Sequence, residues 1–574
     1  MKKVFQYLRP YYFVMLIGLL VKILGTFADL GLPWVLSYIL DDVIPLNNIS
    51  NIMLWGLVML VLAVLARQLN IQANRMASKV ARDSVLVIRH DLYQKISYLH
   101  SAQVDEITAP SLISRLTSDT YNLHQMIGMM QRLGVRAPII LIGGIVLTAT
   151  LDPVLTLILV AILPLLALVI YLVSKRGIPM YKQTQQSVDK MVRVLRENIS
   201  GIRIIKALSK TEYEKERFQQ INEEVSNKEV AAGTVMALSG PLMNLLLNVG
   251  LAIVVIVGAF RVNSGSTQPG KIVAFLSYFT MILNGMMMVT RLFVSYSKAS
   301  ASAGRIAEVL DVKADLNVLP QEDIIEDTGN HIEFDHVSFS YSNTSEKQVL
   351  NDISFSLKKG ETLGIIGSTG SGKTTLINLL MRFYDTSTGM IRIHGRDIKT
   401  IPLKELRSSF GTVFQNDMLF ADTIHENISF GRDLSIEQVE RAAKQACALD
   451  FIAEKQGGFM FEAAIKGANF SGGQKQRLFI ARALANHPEI LILDDSSSAL
   501  DYKTDAKLRK TIREDYKNTT CILIAQRISS IMHLDHILVL EDGEAIGYGT
   551  HEELLKDCEV YREIYESQMG ERVG

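Results

Sequence analysis

Six apolar stretches dominate the first 300 residues: Tyr12–Ile39, Ile52–Ala66, Ala137–Leu151, Val154–Val173, Leu238–Phe260 and Ile272–Phe293. A helix rising about 1.5 Å per residue needs about 20 residues to cross a hydrocarbon core about 30 Å thick. Several of the stretches reach that length, and flanking polar helix extends the two short ones. Six such segments argue against buried helices in one soluble core and predict six membrane spans. The chain's 574 residues exceed a single domain, and 48% hydrophobic against 21% charged residues excludes disorder.

The loops set the orientation. Lys2, Lys3 and Arg9 precede an apolar run that continues past signal-peptide length without a small-residue cleavage pattern, which predicts a retained anchor and a cytoplasmic N-terminus. Asp41–Ser50 and the Leu151–Pro153 turn contain no Lys or Arg. The segments after spans two and four are rich in them, including Arg75, Lys79, Arg82, Lys175, Arg176 and Lys182, and so belong in the cytoplasm of a multi-pass plasma-membrane protein. Gln183–Arg196 and Lys210–Glu229 are polar and helix-compatible, so the membrane helices should continue well beyond the bilayer.

Overall charge is balanced, 59 Lys and Arg against 59 Asp and Glu, which gives no reason to expect a nucleic-acid partner. The balance hides a division: residues 1–310 have a net charge of +12 and the remainder −12. Cys447, Cys521 and Cys558 lack the spacing of a disulfide framework or a cysteine-based zinc site. These features divide the chain into a membrane domain at 1–310, an acidic linker at 311–330 and a soluble domain at 331–574. In the last, strand-like runs at His331–Phe339, Thr362–Ile366, Thr412–Phe414, Ile490–Leu493, Cys521–Ile524 and His536–Leu540 alternate with helix-length segments such as Ser435–Ala448 and Gly473–Ala485. The expected fold class is an all-α membrane domain whose six helices extend into the cytoplasm, joined to an α/β P-loop domain.

Thr362–Ile366 leads into Gly367, Ser368, Thr369, Gly370, Ser371, Gly372, Lys373 and Thr374, a complete G-x-x-x-x-G-K-[ST], and Thr375 continues into a helical pattern. Glycines let backbone N–H groups turn toward phosphate oxygens, and the helix N-terminus adds partial positive charge. Lys373 would reach the β/γ-phosphates of ATP and Thr374 the Mg²⁺. Ile490–Leu493 is an apolar strand ending in Asp494 and Asp495, an arrangement that puts Asp494 beside the same Mg²⁺.

Between these motifs, Asn469-Phe470-Ser471-Gly472-Gly473-Gln474-Lys475-Gln476-Arg477 resembles the signature of ATP-binding cassette proteins. Six spans followed by one cassette resemble a half-transporter of the multidrug-type ABC exporters. In that family two cassettes pair head to tail, each ATP lying between one P-loop and the other subunit's signature. The resemblance implies adenine stacking by Tyr341 and a Q-loop role for Gln415, which would sense Mg²⁺ and the membrane domain. It further implies contacts from Ser471, Gly472, Gly473 and Gln474 to the ATP on the partner, and a D-loop at Ser498-Ala499-Leu500-Asp501. Helical hairpins around Ser111–Asp119 and Gly201–Ser209 would transmit closure of the cassettes to the spans.

Three departures from the family pattern stand out. Where active members place Glu after the Walker B Asp, this chain has Asp495, shorter by about 1.5 Å of reach, although a base must come within about 2.6–3.2 Å of the water it polarises. At the switch, Ile524-Ala525-Gln526-Arg527 replaces Ile-Ala-His-Arg, and Gln526 cannot take the imidazole's charge or exchange a proton near neutral pH. Ile465 stands where many exporters have an acidic residue. An intact P-loop and signature with an altered base and switch resemble the degenerate subunit of heterodimeric bacterial ABC exporters. The implied partner is a second, different half-transporter with Glu and His at those positions.

The membrane half says less about cargo. Asp29, seven residues from Lys22 on one helix face, and Arg291, beside Met286-Met287-Met288, are candidates for lining a cavity, because ionisable groups in spans usually face a bundle interior and methionines tolerate varied apolar ligands. The expected function is ATP-driven export of an amphipathic or hydrophobic compound, whether drug-like, lipid or peptide. An ATP-gated regulatory membrane protein and a homodimeric exporter with slow hydrolysis remain alternatives.

Overall fold

A computed structural model describes residues 1–313, 316–320, 329–341, 348–496 and 499–570. Half of the 311–330 linker and Ser498 of the D-loop lie outside them. The described residues form two compact units: Met1–Ser97 with Ala109–Val312, and Tyr98–Thr108 with Lys313–Gly574.

In the first unit, six helices span Lys3–Leu46, Ile49–Ser97, Ala109–Leu151, Pro153–Ser200, Thr211–Asn263 and Pro269–Asp311, and each contains one of the apolar stretches. At 43–53 residues they are about 65–80 Å long, more than twice the hydrocarbon thickness. The polar segments after spans two and four are therefore helix beyond the membrane, as the sequence predicts. Their most apolar windows are only 6–39% buried within the chain, so most of this apolar surface faces outward, as lipid-facing helices require.

The short connection between spans three and four shows how the sequence makes a tight reversal. Asp152 ends one helix in an extended conformation, and its Oδ1 accepts from the backbone N–H groups of Val154 and Leu155 at 2.9 and 3.2 Å, with Pro153 at the first helical position. Such a cap is worth about 1 kcal/mol. The other carboxylate oxygen accepts from Arg261 Nε at 2.9 Å, tying the turn to the fifth span.

The second unit is built on two sheets. Strands β1 (Ile332–Phe339), β2 (Leu350–Leu357), β3 (Thr362–Gly367), β4 (Thr388–Ile393), β5 (Arg396–Asp397), β6 (Phe410–Val413), β7 (Ile490–Asp494), β8 (Thr520–Ile524), β9 (His536–Glu541) and β10 (Glu544–Gly549) follow in chain order. The six-stranded sheet runs β10-β9-β3-β8-β7-β6, parallel throughout except at the β10 edge. Its central strands are buried on both faces, which is why they read as unbroken apolar runs. The antiparallel sheet β2-β1-β4-β5 packs its inner face, including Phe334, Ile353, Phe355 and Ile391, into one core with the P-loop helix residues Leu376, Ile377 and Leu380.

Candidate nucleotide-binding site

β3 stops at Gly367 and the chain turns through Ser368–Gly372 into the helix Lys373–Leu380. Gly370 and Gly372 have φ of +88° and +98°, and a Cβ on Gly372 would come within 2.5 Å of Leu350 Cδ2, so side chains are excluded there twice over. Lys373 Nζ donates to the carbonyl oxygens of Gly367 and Ser368 at 2.8 and 2.7 Å, which places the ammonium inside the loop.

A cavity of about 740 Å³ opens beside this loop, and the structure brings most of the expected residues to it. Gly367, Ser368, Thr369, Gly370, Gly372, Lys373, Thr374, Thr375, Gln415, Asp494, Asp495 and Gln526 all line it. Ser371 is buried behind the loop. Asp494, at the end of β7, is 4% exposed, and burial followed by the charge of Asp495 raises its pKa while Lys373 opposes the rise. Burial likewise raises Asp495, against Arg527. The hydroxyl of Thr374, the amide oxygen of Gln415 and the carboxylate of Asp494 make an all-oxygen donor set, which suits a hard cation such as Mg²⁺.

The altered base and switch lie against each other. Gln526 Nε2 donates to Asp495 Oδ2 at 3.3 Å, and the Asp495 backbone N–H donates to Ile524 O. Behind them, the C-terminal helix Glu559–Met569 holds the turn from both sides: Gln568 Nε2 donates to Gln526 O at 2.9 Å, and Gln568 Oε1 accepts from the Ile528 N–H at 2.8 Å. Nothing in the sequence marks Gln568, because a lone amide on an amphipathic helix leaves no pattern.

The aromatic residue expected to meet adenine sits in an aromatic cluster. Tyr341 is 48% exposed, enough to offer a ring face, and its hydroxyl lies 3.1 Å from Thr375 Oγ1. Tyr384 meets Tyr341 edge-on at 5.1 Å and donates its hydroxyl to Asp105 Oδ2 at 2.6 Å. Asp105 belongs to the helix Ser101–Ile107, which joins spans two and three in the chain yet packs as part of the nucleotide-binding unit, with Gln103 donating to Lys313 O. Ser111–Asp119, by contrast, folds with the membrane helices.

The signature is not part of the P-loop cavity. Ser471 caps the helix Gly472–Leu484, its Oγ accepting from the Gln474 N–H and its own N–H donating to Gln474 Oε1, so Gly472 and Gly473 occupy the electropositive first turn. The arrangement leaves the signature free to serve a nucleotide held elsewhere.

In the membrane unit, Arg291 lines a cavity of about 870 Å³ together with Lys298 and the methionines Met129, Met236, Met243 and Met287. Asp29 does not line it. Its carboxylate accepts from Arg136 Nη2 at 3.0 Å and from Asn70 Nδ2 at 3.2 Å, and Lys22 donates to Asn70 and Asn74. The pairing with Arg136, from a helix 107 residues further on, satisfies a charge that would be costly in apolar surroundings.

Comparison with known proteins agrees with this architecture. Residues 15–287 match the model of the ABC transporter transmembrane region, and residues 350–498 match the ABC transporter model. The chain is 36% identical to the ABC transporter ATP-binding protein YfiB of Bacillus subtilis over 99% of both chains. It is 31% identical to an ATP-dependent lipid A-core flippase of Desulfotalea psychrophila, again over 99% of each. A bacterial Atm1-family ABC exporter solved with ATP bound superposes with a TM-score of 0.80 over 98% of this chain and 99% of that one, at 23% identity. Six membrane-crossing helices, a cytoplasmic ATP-binding cassette, and full-length relatives of the same organisation make this chain a member of the ABC transporter family, an exporter half-transporter that works as a transport-coupled ATPase in a dimer with another half or with itself.

Proposed function

We propose that the chain is the slow half of a heterodimeric exporter. It binds ATP and Mg²⁺ on its own P-loop, hydrolyses that ATP poorly, and lends its signature to a competent site on a different half-transporter carrying Glu and His at the corresponding positions. The observation behind this reading is the Asp495–Gln526 pair. A general base must reach the attacking water and take its proton, and the residue opposite must manage the charge that develops. Asp495 has the shorter reach, one of its oxygens accepts an amide proton, and Gln526 offers no titratable group. Lys373, Thr374, Gln415 and Asp494 meanwhile retain what binding requires, namely a cation for phosphate and oxygen ligands for the metal. Tyr341 would stack on adenine, and Ser471, Gly472, Gly473 and Gln474 would meet the partner's γ-phosphate.

The cargo we infer is an amphipathic compound with an anionic polar end, lipid-like or drug-like. The 870 Å³ cavity is lined by two cations, four methionines and no carboxylate, which favours a negative headgroup on an adaptable apolar body. The relationship to a protein named as a lipid flippase points the same way. The test is purification of the chain alone and with its partner. The reading expects ATP binding in both and ATPase plus uphill efflux in vesicles only for the pair; a homodimer with full ATPase and transport would instead establish a slow-base homodimeric exporter. Substrate-insensitive ATPase without efflux in the pair would favour a regulator.

A further inference from the structure

Away from the nucleotide cavity, His331, His394 and Glu489 come together at the far end of β7. Glu489 directly precedes that strand and Asp494 lies five residues on, so about 17 Å separates this cluster from the Walker B carboxylates. One donor atom from each of the three residues lies within 4.8 Å of the others. The two imidazole rings are 4.3 Å apart between centroids, and His394 Nε2 is 3.0 Å from Glu489 Oε2.

The backbone holds these residues in place. The His394 N–H donates to His331 O at 2.9 Å, and the Thr520 N–H donates to Glu489 O at 2.9 Å. Thr520 also fixes the ring of His331, whose Nδ1 is 2.6 Å from Thr520 Oγ1. That hydroxyl accepts from the Gly360 N–H and has Lys358 O as its own acceptor, an arrangement in which Nδ1–H is the donor to threonine. The remaining nitrogen, Nε2, then presents a lone pair. His331 is 2% exposed, and this Nε2 is buried without a hydrogen-bond partner. An imidazole whose far N–H is held by an oxygen acceptor is how metal-bound histidines are oriented, and a buried lone pair without a partner is costly.

We propose that His331, His394 and Glu489 form a zinc site that staples the antiparallel sheet to the base of the parallel one. Two imidazoles and a carboxylate suit Zn²⁺, with water as the fourth ligand on the open side, where the side chains of His394 and Glu489 are 48% and 52% exposed. Ligands 2.0–2.1 Å from zinc lie about 3.3 Å apart in a tetrahedron, so a rotation of the two exposed side chains closes the observed spacing. The cation joins the start of β1 and the β4–β5 turn to the strand that ends in Asp494, and its occupancy would stabilise the nucleotide-binding unit without touching the nucleotide.

The test uses the full-length chain in detergent, with excess Mg²⁺ present and buffered Zn²⁺ as titrant, followed by calorimetry, and Co²⁺ as a spectroscopic substitute. One equivalent of zinc, a raised unfolding temperature and the visible absorption of tetrahedral cobalt are expected. His394→Ala and Glu489→Gln, at half-exposed positions that contribute little packing, should each weaken zinc at least tenfold while ATP affinity stays unchanged. Absence of zinc binding at micromolar concentration, or full-strength binding in both variants, would overturn the assignment.

Discussion

The two edges of the nucleotide cavity follow different rules. The phosphate edge has left-handed backbone at Gly370 and Gly372, the second where a Cβ would also collide, a lysine turned into the loop, and an aspartate at the end of a buried strand. On the water edge the base is one methylene short and lies under an amide where the family writes an imidazole. On the proposed reading binding and chemistry are separable within one chain, because phosphate would be held by backbone geometry and a fixed charge, whereas water activation depends on reach and on a titratable partner.

The most disruptive way to probe that difference is through the signature. Gly472→Asp puts a carboxylate at the first turn of the Gly472–Leu484 helix, where the partner's γ-phosphate would lie. The site itself accommodates a side chain, since a Cβ there meets Ala499 Cβ at an ordinary 3.7 Å. Repulsion of a few kcal/mol should lower turnover of the assembled pair by roughly 10²–10³-fold, measured as ATPase at saturating ATP, with folding intact. Lys373→Ala comes next. Loss of charge-assisted contacts worth about 1.5–3 kcal/mol should weaken ATP at this chain's own site by about 10–100-fold, read from nucleotide retention.

Tyr384→Phe removes the hydroxyl that joins the Ser101–Ile107 helix to the Tyr341–Tyr384 pair, where adenine is proposed to stack. At about 0.5–1.5 kcal/mol the expected change is roughly 2–10-fold in the coupling of ATPase to transport, with ATP affinity nearly unchanged. The smallest effect should come from Asp495→Asn, less than about threefold on turnover of the pair, because on the proposed reading the factor of about 10²–10⁴ that a general base contributes comes from the partner's Glu and not from this position. A loss as large as that caused by neutralising the partner's Glu would erase the contrast between the two edges.

The sequence made one of these edges far easier to read than the other regions of the fold. The P-loop is local: strand, turn and helix are contiguous in Thr362–Leu380, so their order alone announces the site. The six spans are legible because solvation by lipid acts on each segment separately. By contrast, β1 was recognisable as a strand, but its partners β2 and β4 were not, since the β1–β2 and β1–β4 ladders are interrupted by register shifts that break simple alternation. The partner of Asp29 is likewise invisible from span one alone, because Arg136 comes from another helix. The assignment of Tyr98–Thr108 to the nucleotide-binding unit depends on contacts hundreds of residues apart in the chain, such as Tyr384 to Asp105.

The contrast between binding and hydrolysis meets its most direct test in the fate of radiolabelled ATP trapped in the assembled pair during turnover. ATP on this chain's P-loop should persist unhydrolysed through several cycles at the other site, and Asp495→Glu combined with Gln526→His should shorten that residence by raising hydrolysis. Equal rates of hydrolysis and release from both sites in the native pair would contradict the account.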